Sequence, residues 1–161
     1  MAGATKQEYP PLLPVGFHEM DLTAVRRLCV ARFPDSITRN SIMEKLEEVL
    51  SLIQQNGMRG EVWIDGSFTT EKLNPDDVDL ILVTEAKDHQ SFDDDQRNFF
   101  KWFSETSLYD RFRCDNYTMI KDASHPKNEW TLAYWLRQFG FSRGNQMKGL
   151  AVVKLPFLVR S

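Results

Sequence analysis

Trp63-Ile64-Asp65-Gly66-Ser67, then nine residues, then Asp77-Val78-Asp79-Leu80-Ile81-Leu82-Val83: this stretch decides the fold. Two apolar runs are separated by polar turn chemistry, and they read as strands over residues 62–65 and 78–84. Side chains alternate faces along a strand, so Asp77 and Asp79 point the same way while Val78 enters the core. Their Cα atoms stand roughly 6.5 Å apart. Two carboxylates at that separation can share one divalent ion or bridge a pair about 3.5–4 Å apart. Oxygen donors of this kind select Mg²⁺ or Mn²⁺ over zinc. Gly66 allows a positive φ or a close backbone approach, and Ser67 supplies a hydroxyl. Successive amides at such a turn form a nest for phosphate oxygens. A short helix over residues 68–72 would add its N-terminal dipole.

Gly-Ser, a spacer, and Asp-apolar-Asp between apolar runs resemble the signature of the DNA polymerase β-like nucleotidyltransferase superfamily. The resemblance implies that Gly66 and Ser67 hold a nucleoside triphosphate, with ATP the expected one, and that Asp77 and Asp79 bind Mg²⁺ or Mn²⁺. It implies a third acid on a later strand. Asp115, within Phe112-Arg113-Cys114-Asp115-Asn116-Tyr117-Thr118-Met119, occupies that place. Leu13-Pro14-Val15-Gly16-Phe17-His18, residues 63–79, and the run from Gln138-Phe139-Gly140-Phe141 to Lys148-Gly149-Leu150 resemble a family of small uncharacterised bacterial nucleotidyltransferase-like proteins. The minimal transferases paired with toxins carry Arg and Gly soon after the Gly-Ser, where this chain has Phe68-Thr69-Thr70-Glu71-Lys72. The resemblance therefore implies transfer of a nucleoside monophosphate to a protein or RNA hydroxyl, with a toxin-like protein as one candidate partner. The alternative is a binding module on the same fold that acts through a partner protein and turns over weakly.

The bulk properties are consistent with one soluble domain. At 161 residues with 42% hydrophobic side chains, the chain can bury a core of its own. A net charge of −3 argues against coating nucleic acid by electrostatics alone. Cys29 and Cys114 lack metal-ligand spacing, which fits a reduced, cytoplasmic setting. No apolar run approaches membrane-spanning length. A Walker-type loop is absent, so P-loop chemistry is excluded, and His18, His89 and His125 are scattered, so no Cys/His or Ser/His arrangement has a supporting motif.

Residues 1–17 read as an N-terminal arm, disordered at its start, and 18–161 as a single domain. Asp21 caps a helix ending near Pro34, and Ser36 or Thr38 opens a longer one carrying Ile42, Leu46, Val49, Leu50 and Ile53 until Gly57. Asp93-Asp94-Asp95 supplies the acidic first turn of a helix with Phe99, Phe100, Trp102 and Phe103. Residues 112–120 form a third strand. Pro126 sits in the first turn of a helix through Trp130, Ala133, Tyr134 and Leu136 to about Gly140, and residues 150–153 add a short terminal strand. The expected class is α+β, a small mixed sheet with helices packed mainly on one face.

Two roles stay open for several residues. Asp77 and Asp79 are metal ligands or turn carboxylates before a strand, since Asn74-Pro75-Asp76 is also turn chemistry. Asp115 is a third metal ligand or a strand-edge carboxylate balanced by Arg111 or Arg113. Lys148, with Arg137 and Arg143, binds phosphate or solubilises the surface. One of Trp130, Tyr134 and Trp135 is free to stack on a base or line a partner surface.

Overall fold

The computed structural model describes residues 7–139 and 148–157. Five strands form one mixed sheet: β1 (Gly16–Glu19), β2 (Gly60–Asp65), β3 (Val78–Glu85), β4 (Cys114–Lys121) and β5 (Gly149–Leu155). Their spatial order is β1-β5-β2-β3-β4. β2 runs antiparallel to β3 and β5, whereas β3–β4 and β1–β5 are parallel pairs. The fold is α+β, as the sequence predicts.

The helices follow from capping and periodicity. α1 (Leu22–Arg26) is capped by the Asp21 side chain on the Ala24 amide and continues as a π-helical turn to Ala31. α2 (Arg39–Gln55) begins where Ser36 Oγ accepts from the Arg39 amide, and it buries Ile42, Leu46, Val49, Leu50 and Ile53 on one stripe. A short α3 (Ala86–Gln90) follows β3, and α4 (Asp94–Glu105) opens on a capping box between Asp93 and Gln96. α5 (Tyr109–Phe112) is one turn long, and α6 (Asn128–Phe139) lies between β4 and β5.

One face of the sheet carries Val62, Ile64, Val78, Leu80, Leu82, Cys114, Ala151 and Val153. These pack against α2, α4 and α5 in the main core. Alternation puts Trp63, Ile81, Val83, Met119, Leu150 and Val152 on the other face, where they form a second cluster with Tyr117 beside it. Phe17 covers part of that face, its ring 5.1 Å from Trp63. No helix among the described residues is long and apolar enough to cross a membrane.

The structure differs from the sequence expectations at four places. Residues 16–19, expected to straddle the boundary between arm and domain, are strand β1. The terminal strand is longer than residues 150–153 and lies inside the sheet, between β1 and β2. Phe112 closes α5 instead of opening a strand, because Arg113 takes a left-handed conformation (φ 52°) that breaks the helix before β4. The helix expected over residues 68–72 is only a 3₁₀ turn, Ser67–Thr69, after which Thr70 is extended. A single turn provides little aligned dipole. The first six residues, Gly140, Phe141 and Arg143 lie outside the described residues, as does the side chain of Trp135.

Candidate active site

Strand pairing lines up three acids. Asp65 at the end of β2 pairs with Asp79 on β3, and Asp79 pairs with Asp115 on β4. By strand parity all three share the face of Trp63, Ile81 and Tyr117; Asp77, one residue before β3 begins, is near enough for its charge to raise the Asp79 pKa. The row runs from interior to edge: Asp65 is 1% exposed, Asp77 and Asp79 are half-buried, and Asp115 on the edge strand is exposed.

The Gly66-Ser67 turn closes over this row. Gly66 has φ 88°, and a Cβ on it would lie 2.9 Å from Asp79 Cγ. Only glycine therefore lets the chain leave β2 against the Asp79 carboxylate. The amides of Thr69 and Thr70 donate to Gly66 and Ser67 carbonyls, and the Thr70 hydroxyl donates to Ser67 O. The turn is thus fixed from within, with Ser67 at its tip half-buried and Phe68 fully buried beneath it.

Charge is crowded here. Burial first, then the neighbouring charges of Asp65, Asp77 and Asp115, push the Asp79 pKa up to about 7, against a smaller opposing pull from Lys148. Burial raises Asp65 to about 6, with Lys148, the Gly66 amide and the Thr69 hydroxyl pulling the other way. Lys148 Nζ lies 3.0 Å from Asp65 Oδ1, and both side chains are largely buried. At the outer end, the Tyr117 hydroxyl donates to Asp115 Oδ2 at 2.9 Å. Burial and that hydrogen bond together raise the Tyr117 pKa, so the phenol keeps its proton.

The sequence expectation thus brings Asp77, Asp79, Asp115, Gly66, Ser67 and Lys148 into one neighbourhood. Two members were missed. Asp65 stands inside the quoted stretch, and its pairing with Asp79 could have been found by folding residues 60–65 back on 79–85 as a hairpin. Tyr117 follows Asp115 by two residues, the spacing that puts both on one face, yet a strand tyrosine carries no motif signal. Asp76, in the turn before β3, is exposed. Arg137 on α6 is exposed as well.

Among the described residues, no three His, Cys, Asp or Glu side chains already surround a point that would hold a metal ion. The chemistry of the donors still suits a hard divalent cation. They are carboxylate oxygens, their mutual repulsion adds to burial in lifting Asp79 toward neutrality, and Lys148 contributes one ammonium against four carboxylates.

A family model described as a family of unknown function (DUF6932) matches residues 5–154. No curated protein and no solved structure matches the chain.

Proposed function

We propose that this chain, which belongs to the family of unknown function DUF6932, is a metal-dependent nucleotidyltransferase that moves a nucleoside monophosphate from a triphosphate to a protein or RNA hydroxyl. The single observation that carries this reading is the row Asp65–Asp79–Asp115 in register across three strands, with the Gly66-Ser67 turn packed on its centre.

Asp77, Asp79 and Asp115 would hold the Mg²⁺ or Mn²⁺. The bound ions would neutralise the triphosphate and the attacking oxygen. The chain's own residues do the rest. Gly66 and Ser67 receive the phosphates, ATP being the first nucleotide to test, and orient them toward the acids. Lys148 neutralises Asp65, so that this buried carboxylate does not repel an incoming phosphate. Asp115 accepts the acceptor proton on the oxygen that Tyr117 leaves open. A bond forms between the acceptor oxygen and the α-phosphorus as the α–β bridge breaks, and pyrophosphate leaves. Asp115 is exposed on an edge strand, which favours a macromolecular acceptor. A cytoplasmic setting is consistent with two buried cysteines that are not paired in a disulfide.

One observation favours a second reading, a binding module of weak turnover. After Ser67 the chain offers buried Phe68 and Thr69, and Lys72 turns its ammonium to the Tyr9 ring 5.9 Å away. Such a module would act on a toxin-like or other protein partner. Labelling separates the two. Purified protein is incubated with α-labelled ATP, Mg²⁺ or Mn²⁺, and protein or RNA acceptors, alongside the Asp77→Ala, Asp79→Ala double variant. Labelling that needs both metal and acids supports transfer. Mg·ATP binding without labelling of any acceptor supports the binding module and sinks the transferase.

A further inference from the structure

Arg39 is the first residue of α2, a position where arginine ordinarily reaches into solvent, yet its side chain is fully buried. All five N–H donors of its guanidinium are used, and every acceptor is a backbone carbonyl. Nη1 donates to Cys29 O at 2.8 Å and Phe68 O at 2.7 Å. Nη2 donates to Thr70 O and Lys72 O, and Nε also reaches Lys72 O. The guanidinium lies 3.7 Å over the Phe33 ring, with Phe68 on a second side. Among the described residues no carboxylate pairs with it. Burial lowers its pKa to about 10, so it stays charged at neutral pH.

The carbonyls it gathers are alternate ones, 68, 70 and 72, in the segment that follows the Gly66-Ser67 turn. The intervening backbone faces the other way and is held by the N-terminal arm. The Leu12 amide donates to Thr69 O and the Glu71 amide to Pro10 O, with Pro11 and Thr70 bridged as in a short strand pair. Residues 68–72 are therefore gripped along both edges, by a rigid helix terminus on one and by a strand-like arm on the other. Gly66 and Ser67 are the only residues between this gripped segment and the end of β2.

We propose that Arg39 is a positioning residue for the Gly66-Ser67 phosphate cradle, holding the turn by the carbonyls of the segment behind it. The inference rests on the nucleotide reading of that turn. It explains how a turn followed directly by Phe68 and Thr69, with the Lys72 ammonium at the Tyr9 ring, can present its amides and hydroxyl in one fixed orientation. Lysine cannot substitute, because three donors at the end of a flexible stem cannot span the four carbonyls that the guanidinium fork reaches.

The test compares wild type with Arg39→Lys and with Phe33→Leu, which removes the ring beneath the guanidinium but leaves its hydrogen-bonding atoms. Each is studied below its own unfolding temperature. Affinity for Mg·ATP, affinity for Mn²⁺ alone, and amide hydrogen exchange at residues 66–72 are measured. Positioning requires Mg·ATP affinity to fall about tenfold in Arg39→Lys, as for loss of charged hydrogen bonds. Mn²⁺ affinity, which reads the acids, stays at the wild-type value, and the Thr69 and Thr70 amides exchange faster. Phe33→Leu shows the same pattern in weaker form and supplies the answer if Arg39→Lys does not fold. Unchanged Mg·ATP affinity in a folded variant overturns the proposal, and so does an equal loss of Mn²⁺ and Mg·ATP binding. If wild type binds Mn²⁺ but no Mg·ATP, the nucleotide reading fails instead. The exchange rates then decide the clamp alone, and unaltered exchange at 66–72 in Arg39→Lys overturns it.

Discussion

Asp79 and Asp115 stand opposite each other in the parallel pairing of β3 with β4, while Asp65 flanks Asp79 from β2. Asp79 is therefore the centre of a carboxylate row, and its pKa is raised further than that of Asp65. Without a cation, Asp79 works against the fold whenever it is ionised. We expect Asp79→Asn to stabilise the metal-free protein at pH 8 by on the order of 1–2 kcal/mol, the scale of relieving one buried like-charge contact. The same variant should lose Mn²⁺ binding. Urea unfolding in EDTA and a Mn²⁺ titration check the two halves, and a destabilised Asp79→Asn would show that the row is not electrostatically strained.

The pH dependence follows with a definite sign. The Asp79 carboxyl titrates at about 7 in the folded protein, above its ordinary range, and Asp65 at about 6. The folded state then binds more protons than the unfolded state between the two pKa values. This contribution to stability is complete below about pH 4 and is lost as pH rises through 7. Glu61 acts in the opposite sense. Burial tends to raise its pKa, but Lys154, Trp63 and Lys121 outweigh that and hold it below its ordinary value. Its contribution is lost only in acid, outside a window of about pH 5 to 8.5. Across that window, the unfolding temperature in EDTA should fall, and Mg²⁺ should restore it most at the alkaline end. A Mg²⁺ effect that is absent, or independent of pH, counts against a metal held by these acids.

The sequence made the acid pair and its turn legible because both are local signals: residue types at fixed spacing, with strand parity to set the faces. Asp115 needed a longer inference, a third strand returning beside β3, and the parallel β3–β4 register supplies it. What stayed hidden is non-local. β5 reads as a terminal appendage because nothing in Gly149–Leu155 says that it inserts between β1 and β2. β1 has only four residues, too few for alternation to stand out. Arg39 carries no local signal, since its burial depends on the Phe68 and Thr70 carbonyls, more than 28 residues away. Asp65 was on view, but its role required pairing two strands before either was certain.

Tyr117 gives a prediction that separates site chemistry from stability. Its hydroxyl donates to Asp115 on a partly open surface. Tyr117→Phe should change unfolding free energy by less than about 1 kcal/mol, the usual worth of such a bond. Asp115 loses the contact that fixes its orientation, so metal-dependent labelling should fall by about 10- to 100-fold, the range seen when an outer-shell partner of a ligand is removed. Labelling of Tyr117→Phe at the wild-type rate would mean that Asp115 needs no such support.

Lys148 and Asp65 form the most buried ion pair among the described residues, at 3.0 Å with side-chain exposures of 14% and 2%. Breaking such a pair from one side strands a charge, which costs about 3–5 kcal/mol when the partner cannot reach water. Lys148→Met should approach that loss at pH 8, where Asp65 is ionised, and lose less at pH 5, where Asp65 is protonated without the cation. Asp65→Asn on the Lys148→Met background should recover most of the stability, because the neutral amide keeps the Thr69 contact without a buried charge. Nucleotide binding sorts the remaining roles. If Lys148 serves only Asp65, the double variant binds Mg·ATP as wild type does. If its ammonium also meets the triphosphate, the double variant is stable and still binds weakly. A double-mutant cycle for stability, run beside Mg·ATP titrations of the same four proteins, distinguishes these outcomes.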